Sequence, residues 1–74
     1  MNLLINGIPH TQINAVHLLG LLEQLNIDPN ITAVEKNGII IPKTDYATER
    51  LNDNDTLELI RFMGGGIGIK PNFI

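Results

Sequence analysis

A single stripe of leucines constrains this fold more than any other feature of the sequence. The stripe consists of Leu18, Leu21, Leu22 and Leu25. Their i, i+3, i+4, i+7 spacing places the four side chains on one face of a helix, and Asn14 is suited to cap its start. We therefore expect one helix over residues 15–26, which must bury its apolar face against another element.

Short apolar segments separated by turn residues predict that this other element is a β-sheet. The predicted strands cover residues 3–5, 8–13, 31–35, 39–41 and 56–63. The pairs 6–7 and 37–38 are both Asn-Gly, which favours a tight hairpin turn because both residue types tolerate positive φ. Pro9 lacks an N–H group, so we expect its strand at an edge of the sheet.

The last predicted strand divides its residues between two faces. Because successive side chains alternate, Leu57 and Leu59 should face the helix while Ile60 and Phe62 face the opposite side. Before this strand, residues 43–50 form a mixed polar connection with room for one helical turn. The residues expected to be largely buried are Leu3, Ile5, Leu18, Leu22, Leu25, Leu51, Leu57 and Leu59.

The predicted order of elements is β-β-α-β-β-β, which belongs to the α+β class. A mixed sheet of about five strands with one main helix across one face is the arrangement of the ubiquitin-like β-grasp fold. With 74 residues, 43% of them hydrophobic, the chain should form one small globular domain. So small a domain leaves little room for a preorganised catalytic pocket, which favours a carrier, a binding module or a subunit.

The composition argues against several classes of function. The absence of cysteine removes disulfides, thiolate catalysis and thiolate metal ligation. A net charge of −3, with one tyrosine, two phenylalanines and no tryptophan, argues against nucleic-acid binding. The most apolar stretch, residues 16–25, is too short to span a bilayer, and no secretory signal is recognisable. We expect a cytoplasmic protein with no membrane or nucleic-acid partner.

Three consecutive glycines, Gly64, Gly65 and Gly66, directly follow Met63 at the end of the last predicted strand. Glycines have no side chains, so such a run can form a thin arm that enters a narrow channel of another protein. A flexible linker has the same composition. The glycine run by itself leaves both interpretations open.

Taken together, these segments resemble the ThiS family of sulfur carriers over residues 1–66. The matching segments are LLING at 3–7, LLEQL at 21–25, VEKNG at 34–38, IPK at 41–43, LNDND at 51–55, LELI at 57–60 and the glycines at 64–66. No segment is specific alone, but their order, spacing and diglycine ending are. The family usually has arginine where Lys43 stands and glycine where Asn54 stands.

The resemblance implies that the reactive group is the carboxylate of a terminal Gly66, preceded by Gly65. In such carriers a ThiF-type adenylyltransferase, related to ubiquitin-activating enzymes, uses ATP and magnesium to adenylate this carboxylate, and a sulfur donor converts it to a thiocarboxylate. A ThiG-type thiazole synthase then receives the sulfur for the thiazole moiety of thiamine. The carrier is thus a protein co-substrate rather than an enzyme, with no bound cofactor. We expect Ile60, Phe62, Met63 and Gly64 to bind these partners.

One feature departs from the family pattern, because eight residues follow Gly66 and leave it without a free carboxylate. The expected organisation is a β-grasp domain over 1–63, a glycine arm over 64–66 and a removable extension over 67–74. Proteases of the JAMM type process such extensions in similar carriers. Pro71 is expected to disfavour a further strand, and the apolar residues of the extension could cover the face formed by Ile60 and Phe62.

Two alternative functions stay open. A carrier for homocysteine, cysteine or molybdopterin synthesis would use the same chemistry with a different sulfur acceptor, and a non-catalytic ubiquitin-like interaction module would use the glycines only as a linker. No metal site is expected. His10 and His17 lie seven residues apart without other ligands nearby, and the acidic residues 53, 55 and 58 are expected to form a solvated turn.

Overall fold

The computed structural model describes residues 1–62 with their side chains and the backbone of residues 71–73. Its strands are β1 (Leu3–Ile5), β2 (Ile8–His10), β3 (Thr32–Lys36), β4 (Ile39–Ile41), β5 (Thr56–Phe62) and β6 (Pro71–Phe73). The helix α1 spans Leu18–Gln24, and 3-10 turns cover Pro29–Ile31 and Lys43–Asp45. The predicted α+β class, the mixed sheet and the single main helix are confirmed.

The strands form one sheet in the order β2-β1-β5-β3-β4, with β6 pairing to β5 outside this path. β1 and β5 run parallel, whereas the other pairs are antiparallel. β2 lies at an edge, as the proline at position 9 predicted, and it ends at His10 rather than continuing to residue 13. The longest strand, β5, occupies the centre of the sheet.

The two Asn-Gly pairs form the predicted hairpin turns. Asn6 and Gly7 have φ values of 49° and 79°, and Asn37 and Gly38 have values of 51° and 84°. Positive φ at both central positions gives the turn twist that matches the twist of the flanking strands. Asn54 also lies in the left-handed region, with φ 71°, a conformation that asparagine and glycine adopt more readily than other residues.

The helix is shorter than predicted, and its cap differs from the predicted Asn14. His17 occupies the N-cap position without a side-chain cap, because the connection after β4 supplies the acceptors. The N–H groups of Leu18 and Leu19 donate to the carbonyl oxygens of Glu49 and Tyr46, each at 2.8 Å. A tertiary contact thus satisfies donors that a local side chain would otherwise satisfy.

The end of the helix is set by Asn26, which adopts a left-handed φ of 58°. Its N–H donates to the carbonyl of Glu23 at 3.1 Å, and the N–H of Ile27 donates to that of Leu22 at 2.8 Å. This pair of bonds is the Schellman motif. It turns the chain so that Ile27 returns into the core.

The core lies between α1 and one face of the sheet. Its buried members are Leu3, Ile5, Ile13, Leu18, Leu21, Leu22, Ile27, Val34, Ile41, Tyr46, Leu51, Leu57 and Leu59. The predicted core is confirmed except for Leu25, which is only partly buried because it is the C-cap residue at the margin of the helix. Six further core residues were not among those predicted: Ile13, Leu21, Ile27, Val34, Ile41 and Tyr46. Leu21, Val34 and Ile41 lie in the predicted helical stripe and strands, Ile13 lies beyond the observed end of β2, and Ile27 and Tyr46 lie in connections.

Candidate functional site

The candidate site begins at the carboxyl end of β5, where the chain leads toward the glycines. One edge of β5 pairs with β3 over five residues, from Leu57 opposite Lys36 to Arg61 opposite Thr32. The other edge pairs with β1 only at Thr56 and Leu57. The second half of β5 therefore pairs with β3 along one edge, whereas β1 does not reach it along the other edge.

Asn6 extends the ladder past the end of β1. Its backbone N–H donates to the carbonyl oxygen of Leu57 at 2.9 Å. Its side-chain Oδ1 accepts from the N–H of Leu59 at 2.7 Å, and its Nδ2 donates to the carbonyl of Leu59 at 3.1 Å. The turn residue thus mimics one more strand residue and fixes β5 as far as Leu59. The sequence marked Asn6 as a turn residue, but nothing local indicated this contact.

The two faces of β5 differ as predicted. Leu57 and Leu59 are fully buried under the helix, whereas Ile60 is half-buried and Phe62 is 42% exposed. On this open face Ile60 stands opposite Ala33 of β3. The apolar side chains at the carboxyl end of β5 are therefore accessible without disturbing the core.

Two carboxylates adjoin this apolar region on the open face. Glu58 stands directly opposite Glu35, and both side chains are half-buried. Neither carboxylate forms a salt bridge within the part of the chain that the structure describes. The nearby Lys36 projects from the other face of β3 and pairs with Glu49 at 2.8 Å. The open face thus combines apolar side chains with uncompensated negative charge.

Arg61 adds a positive charge near the end of β5 on the helix side. Its side chain is half-buried, and its Nε has no hydrogen-bond partner among the described residues. Because Arg61 is only half-buried and stands opposite Thr32, the first residue of β3, this charge lies at the rim of the core rather than within it. Arg61 was not among the predicted site residues, although it lies between two of them, Ile60 and Phe62.

The extension contributes the sixth strand. Residues 71–73 pair with β5 in antiparallel register, with Phe73 opposite Ile60, Asn72 opposite Arg61 and Pro71 opposite Phe62. The prediction that Pro71 disfavours a strand is wrong. Proline is tolerated as the first residue of a strand, which is the place that it has here.

The predicted site residues divide between described and undescribed parts of the chain. Ile60 and Phe62 lie on the open face of β5. Met63, Gly64, Gly65 and Gly66 lie outside the described residues. Covalently, they belong to the connection 63–70 that joins Phe62 to Pro71, two residues that stand opposite each other.

The acidic turn before β5 is not the solvated cluster that was expected, because Asp55 is buried. Its carboxylate accepts from the N–H of Asn52 at 2.8 Å and from Nδ2 of Asn37 at 2.9 Å. Asp53 accepts from the N–H of Asn2 at 2.6 Å. These carboxylates organise the loop and the start of β5. Across residues 1–62, no group of three or more acidic or histidine side chains is arranged to hold a metal ion.

The histidines have no ligand-like surroundings either. His17 is the exposed N-cap of α1, and His10 is half-buried at the end of β2. The helical part of the described chain contains nothing long and apolar enough to cross a membrane.

Comparison with known proteins relates the whole arrangement to one family. The ThiS family model matches residues 3–66. The chain is also similar to the crystal structure of the thiamine biosynthesis protein ThiS from Geobacter metallireducens, with a TM-score of 0.76 and 33% identity. That superposition covers 89% of this chain and 100% of the Geobacter chain.

Among curated proteins, a thiazole synthase from Paramagnetospirillum magneticum is 41% identical over 73 residues, or 99% of this chain. The match covers only 22% of that relative, so this chain spans about a fifth of its length. An uncharacterized protein, ycf40 of Pyropia yezoensis, is 40% identical over 62 residues, covering 84% of this chain and 87% of the relative. The thiazole synthase match extends into the residues beyond 66.

Proposed function

Because this chain belongs to the ThiS family, we propose that it is a sulfur carrier whose reactive group is the carboxylate of Gly66, released when residues 67–74 are removed. One observation carries the proposal. The family match ends at residue 66, which is the second glycine of the diglycine and the position at which a carrier of this kind needs its terminal carboxylate.

The proposed chemistry has two steps. A carboxylate oxygen of Gly66 attacks the α-phosphorus of ATP on a magnesium-dependent adenylating partner, and pyrophosphate leaves. A donor at the oxidation level of sulfide then attacks the carbonyl carbon, AMP leaves with the former carboxylate oxygen, and a thiocarboxylate remains. If the donor is a persulfide, a thiol must reduce the resulting acyl disulfide. A carboxylate is a poor electrophile, so the adenylate is needed to provide a leaving group.

The described structure supports this role through the way it holds the base of the arm. β5 pairs with β3 along five residues, and Asn6 bonds both backbone groups of Leu59. From Phe62 an extended chain would carry Gly66 about 13 Å away, at ~3.3 Å per residue. A rigid base with a thin terminal arm allows a partner to bind the domain while the carboxylate enters a distant active site.

Partner docking is proposed on the open face beside this base. Ile60 and Phe62 provide accessible apolar side chains, and Met63 and Gly64 follow them directly in sequence. Buried apolar anchors carry most of the energy in protein interfaces, so this pair is suited to bind the adenylating enzyme and then the sulfur acceptor. No cofactor needs to be held by the carrier itself.

Thiazole formation is the proposed destination of the sulfur. The supporting observations are the likeness to a thiamine biosynthesis protein and the presence of a similar segment in a protein named thiazole synthase. The acceptor would then be a thiazole synthase. An acceptor that makes homocysteine, cysteine or molybdopterin would use the same carboxylate chemistry, so the acceptor has to be tested directly.

Two protein forms test the proposal, namely a chain ending at Gly66 and the chain through Ile74. Each is mixed with a ThiF-type adenylating enzyme, ATP, magnesium and a sulfur donor, and its intact mass is measured. The chain ending at Gly66 should exchange one oxygen for sulfur, while the chain through Ile74 should remain unmodified until a JAMM-type protease is added.

A chain ending at Gly65 is the matched control, because it keeps a glycine carboxylate but is shorter by ~3.3 Å. It should react much more slowly than the chain ending at Gly66. The thiocarboxylate form is then offered to a thiazole synthase, which should consume the sulfur. An inert chain ending at Gly66 would favour the interaction-module alternative, and adenylation of the chain through Ile74 without loss of its tail would contradict Gly66 as the reactive residue.

A further inference from the structure

The edge of β5 that faces β1 continues beyond the last residue of β1. Successive residues of a strand direct their backbone N–H and C=O groups to opposite edges. The backbone groups of Leu57 and Leu59 face the β1 edge, as their bonds to Asn6 demonstrate. Arg61 has the same parity, so its N–H and C=O groups also face this edge.

The sequence of β6 fits the pattern that this edge requires. Asn72, the residue opposite Arg61, can provide both an N–H donor and a C=O acceptor. Pro71 stands opposite Phe62, whose backbone groups have the parity of the β3 edge, so the missing N–H of this proline removes no ladder bond. A strand with a proline at its first position and a donor at its second can therefore pair fully here.

We infer that the β5 edge at Ile60–Phe62 is a strand-acceptor site which residues 71–73 of this chain occupy, and that this self-pairing withholds the segment from a partner until the tail leaves. The naming of an adenylating partner rests on the proposed function. The pairing itself does not, because it follows from the register of β6. An unpaired strand edge is a general template for another strand, so its occupation by the tail controls access to it.

The described pairing of β6 is shorter than that of β3. Within the residues that the structure describes, three positions of β6 pair with β5, whereas five positions of β3 do, so we expect the β6 pairing to open more readily. While the chain is intact, the connection 63–70 keeps the strand at a high effective concentration beside its edge. A cut within that connection turns the strand into a separate peptide, and this advantage is lost. Cleavage would then free the edge as well as the Gly66 carboxylate.

Amide hydrogen exchange on the full-length chain tests the pairing. Asn72→Pro removes the central donor of β6, while Asn72→Ala keeps it and serves as the matched control. The amide of Arg61 should exchange about tenfold faster, or more, in Asn72→Pro and in a chain ending at Gly66 than in the unmodified chain or Asn72→Ala. The amide of Leu59, bonded to Asn6, should be equally protected in all four proteins.

Binding to a ThiF-type enzyme without ATP tests the second half of the inference. If β6 occupies its edge nine-tenths of the time, the full-length chain binds about tenfold more weakly than Asn72→Pro, which should match the chain ending at Gly66. Equal exchange of the Arg61 amide in all proteins would overturn the pairing, and equal affinities of Asn72→Pro and Asn72→Ala would overturn the competition. An inert chain ending at Gly66 would instead count against the proposed function alone.

Discussion

The two faces of β5 differ in burial: one packs into the core beneath the helix, and the other remains partly exposed. Leu57 and Leu59 point into a closed layer and have no exposed surface, whereas Ile60 and Phe62 point away from the helix and keep part of theirs accessible. These residues are neighbours on one strand. A difference of one position in sequence therefore moves a side chain from the core to the partly exposed face.

The open face also carries a pair of like charges that lowers the stability of the free chain. Glu35 and Glu58 stand directly opposite each other, and like charges in that position destabilise a sheet. On the closed face, Lys36 pairs with Glu49, so opposite charges meet there. The closed face thus pairs opposite charges, whereas the open face leaves two like charges facing each other.

The largest expected effect is a loss of stability confined to the closed face. Leu57→Ala should lower the free energy of unfolding by about 2–5 kcal/mol, because it leaves a cavity in a fully buried layer. Ile60→Ala, three residues later on the other face, should cost less than about 1.5 kcal/mol because part of that side chain is already in water. Urea denaturation of both proteins measures the difference.

Leu22→Ala provides a second probe of the closed face from the helix side. Leu22 is also fully buried, so its truncation should cost about as much as that of Leu57. For so small a domain, either loss approaches the total free energy of unfolding. Circular dichroism should therefore be used to check that each variant is folded. Equal costs at positions 57 and 60 would contradict the division between the two faces.

The next effect concerns binding rather than folding. In a chain ending at Gly66, the double substitution Ile60→Lys and Phe62→Lys should leave the fold intact, because both side chains lie outside the core. Affinity for the adenylating partner should fall by about 2 kcal/mol or more if these residues are the apolar anchors of the interface. Calorimetric titration and the rate of adenylate formation measure this loss.

The matched control places the same charges on other exposed isoleucines. Ile8 is 55% exposed on β2 and Ile39 is 66% exposed on β4, both away from the end of β5. The double substitution Ile8→Lys and Ile39→Lys adds the same charge and removes similar apolar surface. Affinity losses of equal size in the two double variants would indicate a general charge effect and would remove the docking assignment.

The sequence predicted those parts of the fold that depend on local pattern. The leucine stripe located the helix, the Asn-Gly pairs located both hairpins, and alternation assigned Leu57 and Phe62 to opposite faces. Each of these signals arises from residues close together in the chain, since helix and strand periods and turn preferences are local properties. They also sufficed to order the elements.

Features that depend on distant contacts were missed. The start of α1 is determined by carbonyls of Glu49 and Tyr46, and the burial of Asp55 depends on Asn37, eighteen residues away. The pairing of β6 depends on where β1 ends relative to β5. No local pattern reports such contacts. The role of the glycine run could not be predicted from local pattern either. The three glycines fit both a thin arm and a linker, and only the resemblance to a family of sulfur carriers favoured the arm.

The smallest expected effect lies within the closed face, at a tyrosine hydroxyl from the connection after β4. Tyr46 is buried, and its hydroxyl donates to the carbonyl oxygen of Thr32 at 2.7 Å. Tyr46→Phe should cost about 0.5–1.5 kcal/mol at neutral pH, because the ring remains while one hydrogen bond is lost. Thermal unfolding of the two proteins in the same buffer measures this difference.

The effect should also depend on pH in a predictable direction. Burial raises the pKa of Tyr46 above its ordinary value of 10.0, because the ionised form is disfavoured away from water. The unfolded chain therefore ionises first as the pH rises, and the stability linked to this tyrosine is complete below pH 10.0 and is lost as the pH rises through the folded pKa. The difference in the free energy of unfolding between the unmodified protein and Tyr46→Phe should therefore become smaller over that pH range.

The ionisation of Tyr46 can be measured directly. Other groups titrate equally in both proteins, and Tyr46 is the sole tyrosine of the sequence, so its ultraviolet absorbance reports the ionisation. If the difference in the free energy of unfolding stays constant up to pH values at which the absorbance shows ionised tyrosine, the hydroxyl is not buried in the core.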